Sequence, residues 1–314
     1  MDSFDSDTDF LLVDDTPKAS SLDTFDLANE PETPASPQSL ISISTVFHLD
    51  AHLHSLYPDT LLISSDNVHF HVHHAILCRA SHNAFDHFLE STSPALGCQA
   101  QIRIPEDATH LNMILLCIYG LPCHEYATNL DILLATVDAL CRYGIDSGKC
   151  VSPSTPLFSE ILAQSPISPI QAFATAAHHD LFPLASSISP QLLSADLTGI
   201  EDTVVIKMGP VYLKRLWSLH GNRLRTLKEL LFVVPNEHVP SMECGFVDQK
   251  RVQRAWALAT ASLAWEAQPD LSASFILSVL GSLRNFMSCG LCIAALNKRI
   301  AQLILQWTTT KRTI

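Results

Sequence analysis

The chain has 314 residues, 47% of them hydrophobic and only 16% charged, against about 25% charged in an average soluble protein; its mean hydropathy lies slightly above zero. That length accommodates two modest domains. Apolar runs such as Leu111 to Cys123 and Ala257 to Trp265 are shorter or more interrupted than the roughly 20 residues of a bilayer span, and the acidic N-terminus lacks a signal peptide's basic region, so secretion and membrane spanning are not expected. Nine cysteines show no framework spacing, and those in apolar periodic segments (Cys78, Cys117, Cys141) read as reduced core thiols, which points to cytoplasm or nucleus.

The formal net charge of −13 is uneven. Residues 1–44 hold ten carboxylates, from Asp2 to Glu32, against the single base Lys18; that segment is −9 and everything after it −4. Its Asp, Ser, Thr and Pro content cannot bury enough apolar surface to offset chain entropy, so a disordered acidic tail is expected. Within it Phe4, Phe10, Leu11, Leu12 and Val13, then Leu22, Phe25 and Leu27, alternate with acid as in segments that fold against a partner groove, although a merely solubilising tail has the same composition. Thr16-Pro17, Thr33-Pro34 and Ser36-Pro37 are candidate phosphate acceptors that would deepen the charge. No basic stripe, zinc-finger spacing or RNP-like aromatic run supports direct nucleic-acid binding.

From residue 45 the pattern becomes that of a folded α+β segment. Val46, Phe47, Leu49, Leu53 and Leu56 predict a short amphipathic helix ending before Pro58. A hairpin follows, its first strand in Asp59 to Ser65, its turn at Asp66-Asn67, and its second strand in Val68 to Val72, with Val68, Phe70 and Val72 facing the core and His69 and His71 facing solvent. The period then changes to helical through Ile76, Leu77 and Ala80, and again through Ala84, Phe85, Phe88 and Leu89, with Ser81 placed to cap the second short helix. Gln101 to Pro105 predicts a third strand, Leu111 to Tyr119 a helix stopped by Gly120 and Pro122, and Leu130 to Tyr143 another ended by Gly144.

Taken together, Asp59-Thr-Leu-Leu-Ile, Phe70-His-Val-His73, Leu77, Ser81, Phe85, Ile104-Pro-Glu and the Leu115 to Tyr119-Gly120 run resemble the BTB/POZ domain, in the variant of a large fungal, basidiomycete-like group. The resemblance covers about a third of the chain, residues 45–150. It implies a three-stranded sheet with helices, self-association or partner docking through the helices, and a structural role for His73. It departs at His74, where the family more often has Lys or Arg; a pocket built there with Asp59 would lose its cation above the imidazole pKa of about 6.5.

The alternating His69, His71 and His73 admit a rival reading, since His-x-His at a strand end can present metal ligands in a metal-dependent hydrolase. It requires the three imidazoles to converge in a concave pocket beside carboxylates, whereas strand alternation splays them. No G-x-S-x-G, Gly-rich phosphate loop or H-E-x-x-H occurs, and no catalytic or cofactor-binding residue is assigned.

Residues 151–169 carry Ser-Pro and Thr-Pro dipeptides and read as a hinge with one short helix at Leu157 to Ala163. Beyond it, 170–314 reads as an all-helical domain: helices at Ile170 to Ala177, Leu181 to Ile188, Pro190 to Leu193, Gly209 to Leu231 and Asp248 to Ala267, and a last one carrying Cys292, Leu296, Ile300, Leu303 and Trp307. Trp217, Trp256 and Trp307 are expected core anchors. The fungal group likewise continues into an all-helical region. His238 and Cys244, in a loop bounded by Pro235 and Pro240, together with Cys289-Gly-Leu-Cys292, form a candidate Cys3His structural zinc set; the alternative is small core thiols three residues apart.

The function expected from these readings is non-enzymatic protein binding. One mechanism is a substrate adapter of a cullin-type ubiquitin ligase, with residues 151–314 choosing the target. The other is an oligomerising scaffold or transcriptional co-regulator whose acidic tail recruits partners.

Overall fold

The computed structural model describes residues 41–90 and 99–314; the acidic tail through residue 40, with its expected disorder and partner-folding segments, lies outside the described residues. β1 (Ser42–Ile43) falls inside the span read as tail. The hairpin forms as expected. β2 (Thr60–Ile63) and β3 (Val68–Val72) pair antiparallel, Thr60 opposite Val72 and Ile63 opposite His69, and Asn67 takes the left-handed turn position at φ 61°. β1 runs parallel to β3, and β4 (Ala100–Arg103) parallel to β2. The sheet therefore has four strands in the order β1-β3-β2-β4, one more than expected, because Ser42 and Ile43 occupy the outer edge of β3.

That edge also explains why no helix forms over 46–56. The Ser44 N–H donates to the His69 carbonyl and the His71 N–H to the Phe47 carbonyl, so this backbone is committed to the sheet rather than to itself. Phe47, fully buried, closes on Phe70 and Tyr119 with ring centroids 6.3 and 5.2 Å away. The overlying segment also buries His71, expected to be in solvent, and the Gln99 side chain meets its Nδ1 at 2.9 Å.

α1 (His74–Ala80) is followed over 84–87 by residues at φ between 51° and 66°, a turn of opposite hand to the second short helix expected there. Ser81 still caps it, accepting from the Phe85 N–H at 2.7 Å while donating to the Tyr143 carbonyl, and the Phe85 ring stacks on Tyr143 at 4.3 Å. α2 (Ala108–Tyr119) starts at the Asp107 cap and ends at Gly120 in the left-handed region; α3 (Leu130–Arg142) starts at the Asn129 cap. A short α4 (Ser147–Cys150) leads to α5 (Pro156–Gln164), α6 (Pro169–His178) and α7 (Phe182–Ile188).

The Ser-Pro and Thr-Pro positions of 151–169 thus start helices rather than loosen the chain: Pro156 and Pro169 open α5 and α6, where a missing N–H costs nothing. Leu157, Phe158 and Ile161 of α5 join one apolar core that extends from Phe47 to Leu216. A second core, Leu227 to Trp307, lies in the terminal helices. The apolar division of the chain therefore falls within α8 (Asp202–Phe232), not at 151–169. α8 kinks where Gly209 takes φ 75° ahead of Pro210. Its buried stripe runs through Tyr212, Leu216, His220, Arg223 and Leu227, and Trp217, one residue off that stripe, is exposed rather than a core anchor. Trp256 and Trp307 are buried as expected.

The remaining elements are α9 (Phe246–Trp265), α10 (Ala273–Gly281) and α11 (Gly290–Thr309). Of the thiols expected in the core, Cys78 and Cys141 are exposed and Cys117 half-buried; each sits beside a core position on its helix rather than at one. No helix among the described residues is long and apolar enough to cross a membrane.

Candidate functional site

The motif residues of the first segment form its internal scaffold. Asp59 Oδ1 accepts the His74 N–H at 2.7 Å and so fixes the start of α1. The His73 ring lies between two oxygens, with Nε2 2.9 Å from the Leu56 carbonyl and Nδ1 2.9 Å from the Tyr119 hydroxyl. A carbonyl only accepts, so Nε2 carries the proton and Nδ1 accepts from Tyr119. The same hydroxyl accepts the His73 backbone N–H at 3.0 Å. Burial pushes the Tyr119 phenol up to about 12. Phe70, Leu77 and Phe85 fill the core these bonds enclose. His73 thus occupies a structural corner, and the one group of metal-holding side chains among the described residues contains none of His69, His71 and His73. The hydrolase arrangement is not formed.

What this segment presents outward is an edge. β1 is the rim of the sheet and both of its residues are exposed, with Ile41 and Ile43 leaving apolar surface there; the exposed Leu49, Leu56 and Tyr57 lie farther along, beside His71 and His73. An open strand edge flanked by apolar side chains is suited to pairing with another chain.

The four residues of the candidate metal set, 54 positions apart at the extremes, do come together. The 233–245 loop brings His238 and Cys244 from the end of α8 to the start of α9. Cys289 precedes the first residue of α11, and Cys292 lies in its first turn. Ser241 and Cys244 exchange backbone hydrogen bonds at 3.0 and 3.2 Å, closing a tight turn under Cys244. The buried Gln249 side chain holds the His238 backbone on both sides, accepting its N–H at 3.2 Å and donating to its carbonyl at 2.9 Å. His238 Nε2 is 3.2 Å from Cys292 Sγ and 3.4 Å from Cys289 Sγ, and Cys244 Sγ is 3.6 Å from Cys292 Sγ. All four ligand atoms lie within 4.8 Å of one another, with Cys244 and Cys292 buried. The Cys292 amide, aimed at Cys289 across the start of α11, helps draw the Cys289 thiol down to about 7. A cavity of about 450 Å³ opens on the cysteine side, between Glu243, Phe286 and Met287.

A third grouping escaped the sequence reading. Cys141 Sγ is 3.1 Å from His179 Nδ1, and His179 Nε2 is 2.6 Å from Asp138 Oδ1, whose other oxygen takes Lys207 Nζ at 3.0 Å. Asp138 and Cys141 share a face of α3 three residues apart, which is a legible spacing. His179 arrives from the end of α6, and nothing in the sequence connects the two. The row gives an exposed thiol a base held in place by a carboxylate.

Residues 49–147 match the BTB/POZ domain family. No curated protein and no solved structure shows a significant match to the chain. The matched span holds β2 to β4 and α1 to α3, with β1 just ahead of it, so the fold is a BTB/POZ domain, a protein-protein interaction module, followed by a helical C-terminal region.

Proposed function

We propose that this protein works by binding other proteins and not by catalysis: the BTB/POZ domain docks a second copy or a partner along the β1 rim, while the helical region engages something else. The observation that carries this reading is the family match at 49–147, supported by the exposed Ile41 and Ile43 on the β1 rim and by the exposed Leu56 and Tyr57 farther along. Between the two mechanisms, the substrate adapter of a cullin-type ubiquitin ligase is favoured by the size of the helical region that follows the domain. The oligomerising scaffold or co-regulator is favoured by the −9 tail.

The test uses the full chain, because the first core crosses residue 150 and deletion of 45–150 would strip α5 to α7 of their packing. Sedimentation of the wild type and of an Ile43→Lys/Tyr57→Lys variant, each alone and with a purified cullin scaffold, separates the readings. A cullin complex establishes the adapter. Self-association abolished in the variant, with no cullin bound, leaves the scaffold. A wild type that stays monomeric and binds no cullin refutes rim docking.

A further inference from the structure

The Cys3His cluster lies far along the chain from the BTB/POZ domain and is independent of it. A closed tetrahedral zinc site, with Zn–S about 2.3 Å and Zn–N about 2.05 Å, has edges of about 3.8 Å between sulfurs and about 3.6 Å between nitrogen and sulfur. The edges measured here are 3.6 Å for Cys244 to Cys292, and 3.4 and 3.2 Å from His238 Nε2 to Cys289 and Cys292. These three of the six edges are each within about 0.4 Å of those of a metal-centred tetrahedron, and all four ligand atoms lie within 4.8 Å of one another.

The histidine is also in the tautomer a metal requires. His238 Nδ1 lies 2.8 Å from the Val239 carbonyl, which only accepts, so the proton sits on Nδ1 and the bare Nε2 lone pair faces the sulfurs. Metal-ligating histidines are oriented by such a bond from their other ring nitrogen. Gln249 adds a second layer by clamping the His238 backbone.

We propose that His238, Cys244, Cys289 and Cys292 bind one Zn²⁺ as a structural site, fastening the 233–245 loop to the start of α11. Three sulfurs and one imidazole in tetrahedral array select zinc over the harder, oxygen-seeking Mg²⁺ and Ca²⁺. All four positions are filled by protein, so the ion has no open site for substrate and supplies folding energy instead. The adjoining cavity borders the cysteines without supplying a fifth ligand; its Glu243 and Asp248 are outside the set of converging ligand atoms. Binding converts thiols to thiolates and releases their protons to solvent.

The test is metal analysis of the reduced full-length chain by native mass spectrometry, beside Cys289→Ser/Cys292→Ser and a Cys78→Ser control. One zinc per chain in the wild type and the control, reduced to background in the double variant, is expected. Because the double variant can fail to fold, Co²⁺ is also titrated into chelator-treated wild type. One equivalent should bring up thiolate-to-cobalt charge transfer together with intense tetrahedral ligand-field bands, both abolished by Zn²⁺. A wild type that takes up neither metal refutes the site, as does zinc retained by a folded double variant. A Cys244–Cys292 disulfide found under reducing conditions in place of metal refutes it equally. None of these outcomes bears on docking through the β1 rim.

Discussion

Tyr119→Phe is the sharpest probe of how the BTB/POZ fold is held. The substitution keeps the ring that packs against Phe47 at 5.2 Å and removes one oxygen. That oxygen serves two groups of the buried His73, accepting its N–H at 3.0 Å and facing Nδ1 at 2.9 Å. No other partner occupies either position, since the far nitrogen is already taken by the Leu56 carbonyl. Each stranded buried group costs about 1–3 kcal/mol, and the removed hydroxyl returns part of that in desolvation it no longer suffers, for a net loss of about 3 kcal/mol. In a folded unit of this size that corresponds to a melting point lower by roughly 6–12 °C. Urea unfolding of both proteins, read by circular dichroism, measures the loss directly. A change below about 0.5 kcal/mol, the size of an ordinary surface substitution, would show that the hydroxyl does not bridge strand and helix as described.

Two glycines at nearly the same positive φ should respond differently to alanine. At Gly144 an added Cβ would overlap the Asn83 amide and come within 2.9 Å of its backbone nitrogen, whereas at Gly120 nothing lies within 4 Å. Gly120→Ala should therefore cost only the left-handed penalty of about 1–2 kcal/mol, and thermal unfolding should show Gly144→Ala to be clearly worse. Burial holds the His220 and His71 imidazoles below their ordinary value of 6.5. The unfolded chain then binds more protons than the folded one below pH 6.5, so stability should fall as pH drops through that range. His220→Gln should flatten the slope in urea unfolding between pH 7 and 5; an unchanged slope would assign it to other groups. Iodoacetamide labelling followed by mass spectrometry should find Cys141 modified severalfold faster than the also exposed Cys78, with His179→Gln removing the difference, because only Cys141 has a carboxylate-held imidazole as its base.

The order of elements was legible wherever a single chemistry dominated. The hairpin followed from alternation and Asn67, and the ends of α2 and α3 from Gly120 and Gly144, because each signal acts within a few residues. The errors arose where distant chain decided the outcome. The 46–56 segment carries helical spacing, yet its backbone satisfies the outer edge of β3, which the sequence does not show to be open. Ser-Pro and Thr-Pro dipeptides read as a hinge because proline breaks helices from within, whereas here it begins them. α10 went unread because serines interrupt its apolar run. The proposed zinc set was identifiable by residue type and by the Cys289–Cys292 spacing; that His238 turns a bare Nε2 toward the thiols depends on one carbonyl and could not be read in advance. The Cys141–His179–Asp138 row needed the fold.

Both cores share α8. Val204, Met208, Tyr212 and Leu216 pack into the first, Leu227 and Leu231 into the second. From Pro210 onward the helix runs 23 residues to Phe232, about 34 Å at 1.5 Å per residue. A helix alone would be a pivot at its midpoint, but here the midpoint is tied. Arg223, buried between the two cores, donates from Nε to the Pro269 carbonyl at 2.6 Å and from Nη1 to those of Thr310 and Lys311 at 2.9 and 3.0 Å, while its guanidinium lies 4.2 Å over Trp307. The last residue returns to the first core, its N–H donating to Ser189 Oγ at 3.1 Å. The terminal helices are thus joined to the first core at two places, by the continuous α8 and by the Ile314 contact. Arg223→Met keeps most of the apolar stem and releases the three carbonyls. If the tie fixes the geometry, distances between spin labels at the exposed Cys78 and at an exposed site on α11, such as Leu305→Cys, in a Cys141→Ser background, should broaden severalfold in that variant, and an unchanged distribution would place the rigidity in α8 itself.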